Sequence, residues 1–275
     1  MKVVITGAEG QLGHHLKKAL CKKCKVYAFS RKGLDICNFK QAEDMVNDIK
    51  PDVIIHAAAV TNIQNAELNP EHTILVNSRS TQNLADISRK YNSKFVFISS
   101  AYVFDGKKAY YTEKDIPNPI NMYGKSKLWG ERMVRDYQPN HFIIRSSWIY
   151  GEKFIRYMFD KIMNQDKFCF DEMQIGSPTN VLEFSDFIFQ VMQTDAYGTY
   201  HVTNQGDCSK YEYFNTIYNE FTNKPIQHEI RRNASMIIPT NCTLDNMEAR
   251  SRGFHNLLPW KDSLIRFIRE MDLGR

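Results

Sequence analysis

Short apolar runs punctuate the first half of this 275-residue chain: VVI (Val3 to Ile5), VYAF (Val26 to Phe29), VII (Val53 to Ile55), FVFI (Phe95 to Ile98) and FII (Phe142 to Ile144). Each reads as a strand buried on both faces, because no polar residue alternates within it. Between them apolar residues fall at helical spacing, as with Leu12, Leu16 and Leu20, or Leu84, Ile87 and Tyr91. Strand and helix in alternation predict an α/β fold: a doubly wound parallel sheet of Rossmann type, with right-handed crossovers and helices on both faces.

Beyond about Gly151 the pattern loosens. FIRYMFDKIM predicts a helix, KFCF a short strand, FSDFIFQVM a helix, TYHVTN a strand, and Tyr211 to Phe221 another helix. In PWKDSLIRFIREM, Pro259 suits a first helical turn, and Trp260, Leu264, Phe267, Ile268 and Met271 share one face. Residues 1–150 are therefore expected to bind a dinucleotide. Residues 151–275 are expected to form mainly a smaller C-terminal substrate lobe, with the chain crossing between the two. Open α/β sheets bind ligands at their C-terminal strand ends, where such a lobe would sit.

Composition excludes more than it identifies. The chain is 43% hydrophobic and 24% charged, which is ordinary for a globular protein. Its net charge of +5 comes without a dense Lys/Arg block, which argues against a nucleic-acid partner. No run is long enough to span a bilayer and no leader precedes the first strand, so a cytoplasmic protein without a membrane partner is expected. The six cysteines are scattered and read as reduced thiols; Cys21 and Cys24 have suggestive spacing but lack the second pair a structural zinc site needs.

The chemistry begins at ITGAEGQLG, which places Gly7, Gly10 and Gly13 between the first strand and a helix. A tight turn, a close backbone approach and close helix packing each call for glycine here. The helix N-terminus at Gln11 and Leu12 then offers free N–H groups to a pyrophosphate. After the second strand, where an acid would hold an adenine ribose, stand Ser30, Arg31 and Lys32. Arg31 suits a 2′-phosphate, which points to NADPH with NADH still possible, and Asp35 and Ile36 fall at the adenine edge.

Farther on, NMYGKSKLWGE spaces Tyr123 and Lys127 one helical turn apart. A free phenol, with a pKa near 10, is a poor acid at neutral pH. A neighbouring ammonium and an oxidised nicotinamide would bring it toward the working range, and Ser100 could hydrogen-bond the same carbonyl oxygen. Tyr123, Lys127 and Ser100 are thus the expected catalytic group, with no metal assigned and divalent-metal dependence left open.

The segments TGAEGQLG, LDICN, PDVIIHAAA, ISSAYVFDG, NPINMYGKSKLWGE, IIRSSWIYG, QIGSPT and YHVTNQGDCS together resemble the extended short-chain dehydrogenase/reductases, and within them the dTDP-4-dehydrorhamnose reductase family. The resemblance implies hydride delivery to the C4 keto group of a dTDP-linked 6-deoxysugar. Tyr123 would be the proton donor, and Lys127 would also hold the nicotinamide ribose. Ala57, Ala58, Ala59 and Asn77 would border the cofactor. Ala101, Tyr102, Arg145, Trp148, Gln174, Ser177 and Pro178 would lie around the sugar nucleotide. Read from the residues alone, Trp148 is a core aromatic and Arg145 a structural ion pair.

The family also implies departures. An aspartate is expected where Ala101 stands, a tyrosine at Val60, Asp-Lys at Gln64 and Asn65, an acid at Met173 and an arginine at Ile238. All fall on the sugar side, which implies a pocket retuned for an altered sugar. Other readings are an epimerase or dehydratase of the same superfamily, or a non-catalytic cofactor-binding subunit. Monomer and homodimer are both compatible with the sequence.

Overall fold

A computed structural model describes residues 1–164, 168–170, 174–226, 228–230 and 237–271. The five apolar runs form strands β1 (Lys2–Thr6), β2 (Lys25–Phe29), β3 (Val53–His56), β4 (Lys94–Ile98) and β5 (His141–Arg145). With strand Gly198–His201 at the far edge they make a parallel six-stranded sheet in the order β2-β1-β3-β4-β5-Gly198–His201. The connections leave β1 toward β2 on one side and later toward β3 on the other. That reversal opens a crevice at the C-terminal ends of β1 and β3.

Register explains the apolar runs. Ile5 pairs with Ile55, Ile55 with Val96 and Val96 with Phe142, so these four point to one face. They pack there against Leu16 and Leu20 of helix α1 (Gln11–Leu20) and against Phe184, Ile188 and Val191 of helix Val181–Val191. The residues between them, Val4, Ile54, Phe95 and Ile143, meet Ala42, Val46, Leu84 and Ile87 on the opposite face. Both faces are covered, which is why no strand alternates in polarity.

The smaller lobe gathers helices Glu152–Met163, Lys210–Thr222 and Trp260–Glu270 around Ile155, Met158, Tyr213, Ile217, Leu264 and Phe267. Trp260, Leu264, Phe267 and Ile268 are buried along one face of the last helix, as their spacing predicts. Pro259 sits just outside that helix as its cap, rather than within the first turn. A small three-stranded sheet, Cys208–Ser209, Ile175–Gly176 and Asn241–Cys242, lines the lobe. Two segments after Gly151 rejoin the large sheet: Val181–Val191 covers one face, and Gly198–His201 extends the edge. No helix among the described residues is long and apolar enough to cross a membrane.

Candidate active site

A cavity of about 700 Å³ opens at the crevice. One end is lined by Gly7, Gly10, Gln11, Leu12, Ser30, Arg31, Asp35, Ile36, Ala57, Ala58 and Ala59, the cofactor residues expected from the sequence. Gly7 has φ +73°, and a Cβ on it would lie 2.7 Å from the Ala58 nitrogen; a Cβ on Gly13 would lie 2.2 Å from the Gly7 oxygen. Neither position therefore admits a side chain. Helix α1 starts behind it at Gly10 with no side-chain cap, leaving its first N–H groups to a ligand. Glycines pressed on backbone and uncapped amides fit a dinucleotide pyrophosphate. Gln11 is fixed by donating to the Ile149 carbonyl at 2.7 Å. Arg31 is exposed at the far rim, with no hydrogen bond or ion pair among the described residues.

Asn77 does not reach this cavity. It is fully buried, and its amide accepts from the Val60 N–H at 2.8 Å and donates to the Val60 carbonyl at 2.9 Å and Ser126 Oγ at 2.9 Å. It positions the loop that lines the cavity, a role the sequence reading mistook for cofactor contact. Below the same loop runs a directed chain of hydrogen bonds. Ala58 N–H donates to Thr6 Oγ1, Thr6 to His56 Nδ1, His56 Nε2–H to Thr81 Oγ1, and Thr81 to the Asn77 carbonyl. Burial, with Lys127 adding to it, lowers the His56 pKa to about 3 and keeps the ring neutral. His56 lies within the PDVIIHAAA segment, but no role was assigned to it there; its place at a buried strand end could have marked it.

The other end of the cavity is lined by Ser99, Ser100, Tyr123, Lys127, Ser146 and Trp148. Helix Met122–Tyr137 starts at Asn121, whose side chain accepts from Gly124 N–H at 2.8 Å, and it places Tyr123 and Lys127 on one face. Tyr123 shares this end with Ser100, which begins a single 3₁₀ turn after β4 and accepts from the Tyr102 N–H at 3.2 Å. Burial pushes the Tyr123 pKa up, with Ser100 opposing. Burial also brings Lys127 down to about 7, while Glu131 opposes it, and its Nζ rests 4.1 Å from the Phe97 ring centre.

Glu131, one turn beyond Lys127, accounts for Arg145. The guanidinium grips this carboxylate through two bonds of 2.8 and 2.7 Å, and Ser99 Oγ donates to it at 2.6 Å. Burial opposes ionisation, yet Arg145 with Arg135 and Ser99 holds Glu131 at about 2. His201 Nδ1–H donates to the Tyr111 carbonyl, leaving Nε2 to accept from Arg145 at 3.3 Å. Arg145 is 1% exposed and has no surface for substrate. The expected substrate contact is corrected to a structural ion pair, because Glu131 claims the guanidinium.

Ala101 is corrected too. It is 1% exposed and packs with Val103, Phe104, Leu128 and Leu244. Its methyl joins this cluster and does not face a sugar, so the altered-specificity argument loses its leading residue. Ser177 and Pro178 are likewise buried; the Ser177 carbonyl accepts from Thr179 Oγ1, and their loop forms scaffold beside the cavity. Tyr102 and Gln174 do meet. Gln174 donates to the Tyr102 hydroxyl at 2.9 Å, and the Tyr102 ring meets Tyr123 edge-on at 5.8 Å. Val60 lines the cavity, whereas Asn65 of helix Ile63–Leu68 accepts from Asn69, the helix's C-cap, and Ile238 is half-buried. Met173 lies outside the described residues.

The profile of the RmlD substrate binding domain family matches residues 1–273. The chain is 36% identical to a dTDP-4-dehydrorhamnose reductase of Aggregatibacter actinomycetemcomitans over 80% of this chain and 79% of that one. It is 30% identical to methionine adenosyltransferase 2 subunit beta of Rattus norvegicus, over 97% of this chain and 88% of that one. A crystal structure of dTDP-4-dehydrorhamnose reductase from Bacillus anthracis in complex with NADP superposes with a TM-score of 0.92 at 35% identity, covering 98% of each chain.

Proposed function

We infer the activity from a plain premise: this chain belongs to the RmlD substrate binding domain family. It is an NADPH-dependent reductase of the 4-keto group of a dTDP-linked 6-deoxysugar. The observation that carries this reading is the convergence of Ser100, Tyr123 and Lys127 at one end of a cavity whose other end is the glycine cradle. Relatives named for the same reaction and a close structural match solved with NADP support it.

When bound, NADPH supplies the hydride that becomes the new C–H bond at the sugar C4. Tyr123 gives its phenolic proton to the carbonyl oxygen as that oxygen gains charge, and Ser100 donates a hydrogen bond to the same oxygen. A phenol raised by burial holds its proton until then. Lys127 Nζ, at about 7, exchanges protons near neutrality and lies one turn away to restore the phenol. Gly7, Gly10 and the first amides of α1 hold the pyrophosphate, and Arg31 takes the 2′-phosphate.

Tyr123→Phe tests the assignment. It should bind NADPH as the unmodified protein does, yet lose at least about a hundredfold in turnover, the scale of general acid catalysis. Near-normal turnover would remove Tyr123 from the mechanism. A second reading, a cofactor-binding subunit of another enzyme, draws on the likeness to the rat methionine adenosyltransferase subunit. It predicts NADPH binding without turnover of any keto-sugar; the assembled Ser100, Tyr123 and Lys127 favour the enzyme.

A further inference from the structure

We propose that Lys210 is the anion-recognising residue of the smaller lobe and holds the diphosphate bridge of the nucleotide sugar, an inference that rests on the reductase reading above. Lys210 is the first residue of helix Lys210–Thr222, and its backbone N–H donates to the Gln174 carbonyl at 3.0 Å. Its ammonium lies 3.7 Å from the centre of the Trp148 ring and 5.8 Å from that of Phe214. Trp148 borders the cavity, and the amine rests on that ring from outside the cavity's lining. The ring is a fixed platform: a Cβ on Gly176 would lie 2.5 Å from it, so Trp148 rests directly on that backbone.

Among the described residues this amine has no hydrogen bond and no ion pair, whereas other cations of the lobe are paired: Arg266 with Glu183 and Arg269 with Glu220. The polar groups around it are neutral. Burial pushes the Tyr102 and Tyr213 phenols and the Cys208 thiol well up, and the Cys242 thiol to about 12. Among the described residues the acids Asp207 and Glu212 act on Cys208 rather than on Lys210. Burial lowers Lys210 itself to about 8, so at neutral pH it is largely charged, with no counter-charge among the described residues. An aromatic face stabilises such a cation but does not use its N–H donors. Of the parts of a nucleotide sugar only the diphosphate brings negative charge; the sugar and thymine offer neutral acceptors. Sequence reading passed over Lys210 because a lysine opening a helix is ordinarily a solvated residue.

Calorimetric titration with dTDP, thymidine and NADPH tests the inference. Lys210→Met should weaken dTDP roughly 10- to 100-fold, the span of a charge-assisted hydrogen bond. It should leave thymidine and NADPH unchanged, and Lys210→Arg should recover most of the loss. In the unmodified protein, dTDP affinity should fall as the pH rises through about 8, with thymidine affinity flat. Should Lys210→Met fail to bind NADPH and so prove misfolded, that pH profile and Lys210→Arg decide. Equal dTDP binding by unmodified and Lys210→Met protein, equal loss for thymidine, or a flat dTDP profile would overturn the role of Lys210 alone. An unmodified protein that binds NADPH but neither dTDP nor thymidine would overturn the reductase reading with it.

Discussion

Tyr123 and Lys127 are both displaced by burial, in opposite directions: the phenol upward, the ammonium down to about 7. Each shift disfavours the charged form, so the protein alone rests as a neutral acid beside a poised base. Their meeting at the cavity was legible because helical spacing puts both on one face. Side-chain direction was not legible. Ala101 lies between Ser100 and Tyr102, yet its methyl points into an apolar cluster, and no composition or spacing states which way a 3₁₀ turn aims each residue. Arg31 tests the cofactor at this scale. Replacing it with Ala should weaken NADPH by about 1.5–3 kcal/mol, as for hydrogen bonds to charged groups, and barely change NADH. Parallel loss of both cofactors, measured by fluorescence titration, would reduce Arg31 to a surface residue.

Helix Met122–Tyr137 works as an element because one face carries Tyr123, Lys127 and Glu131 in successive turns. The first two face the cavity, and the third is locked to Arg145 at the end of β5. The pair thus ties the catalytic helix to the sheet. Arg145→Met leaves Glu131 buried without its main partner, and such a break costs about 3–5 kcal/mol. Urea unfolding should report that loss; a substrate ligand would instead raise KM with stability intact. Asn77 was misread for a related reason. Its place after the third strand was visible, but its turn inward toward Val60 and Ser126 depends on the contact between two helices far apart in sequence.

For the whole molecule, the order of strands and helices was legible almost throughout, because a sheet covered on both faces writes itself as unbroken apolar runs. The return of Gly198–His201 to the sheet edge was not, since a four-residue strand reads alike in either lobe. The core also sets a pH response. His56 and His201 are held neutral by burial, each at about 3 against an ordinary 6.5. Below 6.5 the unfolded chain binds the protons that the folded one refuses, so stability falls as pH drops from 6.5 toward 3. By pH 5 each ring should cost about 2 kcal/mol. Glu131, at about 2 against 4.5, adds a further loss below 4.5. The urea midpoint should therefore fall between pH 7.5 and 5, and His56→Gln should shrink that fall; an equal fall in both proteins would place the titrating groups elsewhere.

The account as a whole stands on one reaction. Purified protein mixed with NADPH and dTDP-4-dehydrorhamnose should oxidise one NADPH for each keto group lost, and the product should carry a hydroxyl at C4. Conversion of the sugar with no NADPH consumed would make the protein an epimerase or dehydratase, and no conversion despite firm NADPH binding would contradict the assignment outright.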